Sequence, residues 1–167
     1  MDALRLFADQ ERRGFEDLAG SEGQGRFRVS ERLLNEIIGE QLRGSALVRE
    51  LHVTPRAGDR FTVRLVTTKA FLPPISIEAA IDKQPSLPDD PVLGLTLSGM
   101  GGLLRFAGGL LTSLPPGVRM EGERVFVDLR AALAPHGLTS MLNHVTDVRL
   151  TTEEGRLMVT IAVRAGG

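Results

Sequence analysis

Four stretches of alternating polarity in the middle of the chain constrain its fold more than any other feature. "LVRELHVT" (47–54) leads into a turn at "PRAGD", and "RFTVRLVT" (60–67) sets Phe61, Val63 and Leu65 against Thr62, Arg64 and Val66. "ISIEAAID" (75–82) places Ile75, Ile77, Ala79 and Ile81 together, and "VLGLTLS" (92–98) does the same with Leu93, Leu95 and Leu97. Successive side chains of a strand point to opposite faces, so each stretch reads as a strand with one oily side. The prolines of "FLPP" and "KQPSLPDDP" interrupt hydrogen-bonded ladders between them. The reading is an antiparallel meander whose apolar face must be covered by another layer.

Two helices are available as cover. "VSERLLNEIIGEQLRG" (29–44) has Ser30 as N-cap and Glu31 in the first turn, where a negative charge meets the positive end of the helix. Leu34, Ile37, Ile38, Gln41 and Leu42 recur at helical spacing with Leu33 beside them, and Gly44 suits the C′ position. The second candidate lies in "LSGMGGLLRFAGGLLTSLPPG" (97–117). Leu103, Phe106, Ala107, Leu110, Leu111 and Leu114 share one side, and Gly101, Arg105, Gly108 and Thr112 the other, so 100–113 reads as a helix. It is too short and glycine-rich to cross a bilayer, which takes about 20 apolar residues. No Lys-Ser/Thr follows as a Walker loop requires, and Leu104 stands where a dinucleotide fingerprint needs its third Gly. Each glycine costs roughly 0.8–1 kcal/mol of helix stability relative to Ala, which points to close backbone packing or to a helix that moves.

A chain of 167 residues suits one domain with a single core. Residues 2–13 read as a short amphipathic helix, and "LAGSEGQGR" as a linker, so 1–25 precede a single domain at 26–167. Further on, "VRMEGERVFVDL" reads as a hairpin turning near Gly122, with Asp128 capping a short helix closed by Pro135 and Gly137. "HVTDVRLTTEEGRLMVTIAVRA" is the strongest hairpin of all. It resembles "VRELHVTPRAGDRFTVRL": Val48 matches Val145, Leu51 matches Val148, Thr54 matches Thr151 and Gly58 matches Gly155. Upstream, "RFRVSER" lies beside "RVFVDLR", so Ser30 answers Asp128 as a helix cap. The order strand, capped helix, hairpin therefore occurs twice, as in an internal duplication.

Catalytic chemistry leaves no motif. The chain has 20 basic and 21 acidic residues, which gives no global field toward nucleic acid or an anionic surface. It has no cysteine, and its seven Phe are its only aromatics, too few for base-stacking platforms. His52, His136 and His144 lack metal-ligand spacing; His52, with its neighbours Leu51 and Val53 pointing the other way, is expected in solvent. Asp89–Asp90 and Glu153–Glu154 sit in turns, where such residues bond the local backbone. No G-x-S-x-G elbow is present. Arg49, Arg56, Arg60, Arg64, Arg149, Arg156 and Arg164 recur through the matched hairpins. With Glu, Asp and Thr between them they read as a solvated sheet face rather than as a stripe for anionic headgroups. Asp2 and Arg5 interrupt any secretory h-region, so the default compartment is cytoplasmic.

The capped helix opening "VSERLLNEII", the four-strand meander, the apolar second helix and the later "VFVDLRAAL" resemble the tubular lipid-binding (TULIP-like) superfamily, in particular its small bacterial members. The likeness spans roughly residues 26–164. It implies an α+β fold: a curved antiparallel sheet cradling a long helix, with acyl chains held between them. The residues read by themselves point to the same place, since a gap beneath the glycine-rich helix would be lined by aliphatic side chains. The expected lining is Leu34, Ile37, Ile38, Phe61, Val63, Leu65, Ile75, Ile77, Leu103, Phe106, Leu110 and Leu111. The expected activity is non-catalytic binding of a lipid or fatty-acid-like ligand, with no cofactor, no metal and no nucleic acid. Peripheral membrane contact is compatible with it, and the oligomeric state is open. A fully packed core would point instead to an assembly module that binds other proteins.

Overall fold

The computed structural model describes residues 21–99 and 114–164. Their elements, in chain order, are β1 (Glu22–Ser30), α1 (Glu31–Gln41), β2 (Val48–Arg56), β3 (Arg60–Thr67), β4 (Ile75–Lys83), β5 (Val92–Ser98), β6 (Val118–Glu121), β7 (Arg124–Asp128), α2 (Leu129–Leu133), β8 (Val145–Glu153) and β9 (Arg156–Arg164). Short 3-10 turns at Ala134–His136 and Thr139–His144 join α2 to β8. The strands form two antiparallel sheets, a three-stranded one in the order β1-β9-β8 and a six-stranded one in the order β2-β3-β4-β5-β7-β6. The larger sheet curls into a half-barrel.

The meander is present from β2 to β5, in the registers that the alternation requires. Phe61 lies opposite Ala79, Val63 opposite Ile77 and Leu65 opposite Ile75. Ala79 then faces Leu97, and Ile81 faces Leu95. Each apolar residue thus meets another, and the concave face is continuous.

α1 is a real but short helix of 11 residues, not a long one. Val29 and Ser30 complete β1 instead, and the Ser30 hydroxyl accepts a 3.3 Å bond from the Leu33 N–H. Leu42 is the C-cap, so the left-handed turn at Gly44 (φ +82°) falls one residue beyond C′. Nor does the helix lie along the sheet floor. Asn35 bonds the backbone of β2, which is the edge strand, and this holds α1 at the rim. Only one side of α1, through Leu34 and Ile38, reaches the core.

Glu22 to Gly25 are strand rather than linker, because β1 pairs along its whole length with β9, from Glu22 opposite Arg164 to Ser30 opposite Arg156. Tertiary pairing outweighs the glycines' local preference here, and the boundary expected at residue 25 falls inside a strand. The helices expected at 2–13 and 100–113 lie outside the described residues.

The two sheets meet where the tips of the matched hairpins touch. The Gly155 N–H donates to the Pro55 carbonyl at 2.9 Å, and the Glu31 N–H to the Gly155 carbonyl at 3.2 Å. Thr152, 6% exposed, is bonded through each of its polar groups that the tip can reach. Its N–H donates to Asp59 Oδ1 (3.0 Å), its hydroxyl donates to the Arg56 carbonyl, and that oxygen accepts the Arg60 N–H (2.9 Å). Arg56 also forms an ion pair with Glu154.

The hairpins correspond in detail. β2 and β8 each carry an irregularity in register at matching points, Val48/Glu50 and Val145/Asp147. Both turns place glycine in the left-handed region, Gly58 at φ +81° and Gly155 at φ +73°. Asp128 caps α2 through the Arg130 and Ala131 N–H groups, as Ser30 caps α1. The correspondence ends at the strand before each helix, since β1 joins β9 whereas β7 joins β5.

Candidate hydrophobic ligand site

The concave face carries two adjoining apolar clusters. In the first, Val53, Phe61, Ala79 and Leu157 are buried, and Leu34 and Ile38 of α1 pack against them with Val29, Val63 and Val159. This cluster joins both sheets and the helix. In the second, Leu65 and Ile77 are buried among Val48, Leu51, Val63, Ile75, Leu97 and Met120. Its side chains come from β2, β3, β4, β5 and β6, and α1 contributes none.

Of the expected lining, Leu34, Ile38, Phe61 and Val63 come together in the first cluster, and Val63, Leu65, Ile75 and Ile77 in the second. Ile37 stands apart, 50% exposed on the solvent side of α1. Leu103, Phe106, Leu110 and Leu111 lie outside the described residues. Sequence reasoning missed Val48, Leu51, Leu97 and Met120 as partners of Leu65 and Ile77. Leu97 was on the correct face of its strand. Met120 gave no signal, because β6 has only four residues and its neighbour could not be read from periodicity.

Polar groups mark the rim rather than the floor. His52 points away from Leu51 and Val53, as expected, but it is not merely solvated: its Nε2 lies 2.7 Å from Glu31 Oε1. The Thr54 hydroxyl donates to the same oxygen at 3.3 Å. An open depression of about 550 Å³ lies beside this group, between Glu31, Arg32, Asn35, Glu36 and His52. A second, of about 390 Å³, lies at the far end of the smaller sheet near Glu22, Thr146 and Arg164. Neither is lined by the residues of the concave face. Among the described residues no three His, Asp or Glu side chains converge as metal ligands, and no helix is long and apolar enough to cross a membrane.

On the convex side, a bulge between Ile81 and Lys83 carries Asp82 over Gly94. A Cβ at Gly94 would come within 2.7 Å of Asp82 Oδ1, so the absence of a side chain makes room for the carboxylate. The carboxylate accepts bonds from Arg124 (3.0 Å) and from the Thr96 hydroxyl. The Arg124 bond, then the Thr96 bond, hold its pKa below the ordinary range. Arg124 and Arg119 also stack on the Phe126 ring, 4.7 and 4.6 Å from its centroid. This group is a structural clasp across β4, β5, β7 and β6 and offers no reactive atom.

Comparison with family models, with curated proteins and with solved structures gave no match.

Proposed function

We propose that this chain binds a lipid or another hydrophobic ligand, without catalysis, on the concave face of the half-barrel, in the manner implied by its resemblance to the TULIP-like superfamily. The observation that carries the reading is the second cluster. Leu65 and Ile77 sit at the centre of an apolar floor to which α1 contributes nothing. The Leu- and Gly-rich segment, residues 100–113, leaves β5 just after Leu97 and returns just before β6, which carries Met120, and both of these residues belong to that floor. That segment carries Leu103, Phe106, Leu110 and Leu111, whose apolar pattern at helical spacing is the cover that the sequence offers for this aliphatic surface. An alkyl chain held there is bound by burial, at roughly 0.8 kcal/mol per methylene, with no polar partner required.

Native mass spectrometry of the purified protein, followed by titration with a fluorescent fatty acid, tests the proposal. A co-purifying lipid, and fatty-acid binding weakened about tenfold or more by Phe106→Asp in a variant with an unchanged circular dichroism spectrum, are the expected results. An apo protein that ignores the fatty acid would remove the carrier function.

One observation favours a second reading, an assembly module. Leu33 and Ile37, one turn apart on α1, are 44% and 50% exposed, and an apolar helix face of that kind suits a protein partner. A stable dimer in sedimentation equilibrium, dissociated by Ile37→Glu, together with no uptake of the fatty acid, is the result that would favour it.

A further inference from the structure

The outer face of the three-stranded sheet is basic, and among the described residues four of its five arginines are unpaired. Strand alternation sends Val29, Leu157, Val159 and Leu150 into the core, so Arg26 and Arg28 of β1, Arg156, Met158 and Thr160 of β9, and Arg149 and Thr151 of β8 point the other way. The registers align Arg26, Thr160 and Arg149 in one row across the sheet, and Arg28, Met158 and Thr151 in the next. Arg26, Arg28, Arg149 and Arg156 are all exposed. Among the described residues none of them is in an ion pair or a side-chain hydrogen bond. The carboxylates of this face lie at its two ends: Glu22, held by Arg164 at 2.6 Å, with Asp147 at one, and at the hairpin tip Glu153, directly across the ladder from Arg156 but not in an ion pair with it.

The larger sheet makes the contrast. On its convex face Arg56 pairs with Glu154, Arg64 with Glu50, Arg119 with Glu121 and Arg124 with Asp82, and Arg60 is left without an ion pair among the described residues. A chain with one excess negative charge has no long-range field to draw in anions, so any attraction must come from a local patch such as this one. The face also lacks an aromatic side chain on which a base could stack, which argues against single-stranded nucleic acid. Met158 at its centre is 5% exposed, so the face offers charge to a partner and little grease for insertion. Neighbouring strands lie about 4.8 Å apart and alternate residues about 6.7 Å apart, so the guanidinium groups are rooted in a shallow sheet with spacings of about 7–10 Å. That geometry matches a plane of many separate phosphates better than one compact anion, and guanidinium binds phosphate through paired N–H groups.

We propose that this face docks on the surface of a bilayer containing anionic phospholipid, through Arg26, Arg28, Arg149 and Arg156. The docking goes beyond acyl-chain binding and does not depend on it, since none of the four arginines belongs to either apolar cluster.

Co-sedimentation of the full chain with phosphatidylcholine vesicles, with and without phosphatidylserine, tests it. The expected result is binding only where phosphatidylserine is present, lost at about 1 M salt, where the screening length is about 3 Å. Single Arg→Gln substitutions at the four positions each weaken binding about fivefold, and the fourfold variant abolishes it. Arg64→Gln, which removes a paired arginine of the convex face, leaves it unchanged. All four residues are exposed, so the variants are expected to retain the native circular dichroism spectrum. Fatty-acid binding persists in the fourfold variant if the concave face is the acyl site, which separates failure of one reading from failure of the other. Equal binding to pure phosphatidylcholine, no binding to the anionic vesicles, undiminished binding by the fourfold variant, or tighter binding of a single-stranded RNA at the same salt would each overturn the proposal.

Discussion

Asp82 shows how one side chain acquires a role that its neighbours in sequence do not announce. It lies in "AAIDKQ", an ordinary strand end. The bulge and the bare Gly94 bring it to Arg124, 42 residues away, and the Arg124 and Thr96 bonds lower its pKa. A carboxyl that is more acidic when folded contributes stability above its unfolded pKa, about 3.9, and loses that contribution as pH falls through the lower, folded value. Asp82→Asn should therefore be less stable than the parent at neutral pH, and the difference should shrink toward zero as the pH drops below about 3.9. Urea unfolding across that range measures it. A constant difference at all pH values would show that the Asp82 charge is not what the clasp uses.

At the scale of elements, the exposed edges of the two sheets are managed in the same way. Strand edges present unpaired backbone groups, which natural folds cover or blunt. On β2, the Asn35 side chain donates to the Val53 carbonyl (2.8 Å) and accepts the Val53 N–H (2.7 Å). On β8, the Gln84 side chain donates to the Leu150 carbonyl (2.6 Å) and accepts the Leu150 N–H (3.0 Å). Val53 and Leu150 are equivalent positions of the matched hairpins, so one local problem is solved twice with different residues. An amide suits both, because it offers a donor and an acceptor side by side on separate atoms. Asn35→Ala and Gln84→Ala each leave a part-buried N–H and C=O without their partners, and each is expected to cost about 1–3 kcal/mol in denaturant unfolding. Asn35→Asp, which keeps the acceptor and removes the donor, should not restore the parent stability.

For the whole molecule, the decisive contact is the meeting of the hairpin tips. The two sheets share the first apolar cluster and the Gln84–Leu150 bonds, and the other directional bonds between them gather around Thr152, Asp59, Arg56 and Gly155. Thr152→Val preserves the shape of the side chain and removes its hydroxyl, leaving the part-buried Arg60 N–H and Arg56 carbonyl without this partner. The expected loss is about 1–3 kcal/mol of unfolding free energy. Amide hydrogen exchange should rise at both tips together, since each sheet loses the same anchor. Faster exchange at one tip alone would mean that the sheets are held by the apolar cluster and not by this contact.

Much of this architecture is legible in the chain before any coordinates are known. The alternation of β2 to β5, the caps Ser30 and Asp128, the left-handed turns at Gly58, Gly122, Gly137 and Gly155, and the likeness of the two hairpins all arise within short windows. Within such windows, side-chain direction and backbone sterics decide the outcome. The concave lining was legible for the same reason, since Phe61, Val63, Leu65, Ile75 and Ile77 face inward by alternation alone. Tertiary structure decided what depends on partners far along the chain. It joined β1 to β9, turned glycine-bearing residues 22–25 into strand, shortened α1 and set it at a rim. It also left Arg26, Arg28, Arg149 and Arg156 without carboxylate partners while bringing Arg56, Arg64, Arg119 and Arg124 to theirs. Strand pairing and charge pairing are set by which surfaces meet after collapse, and local periodicity holds no record of that choice.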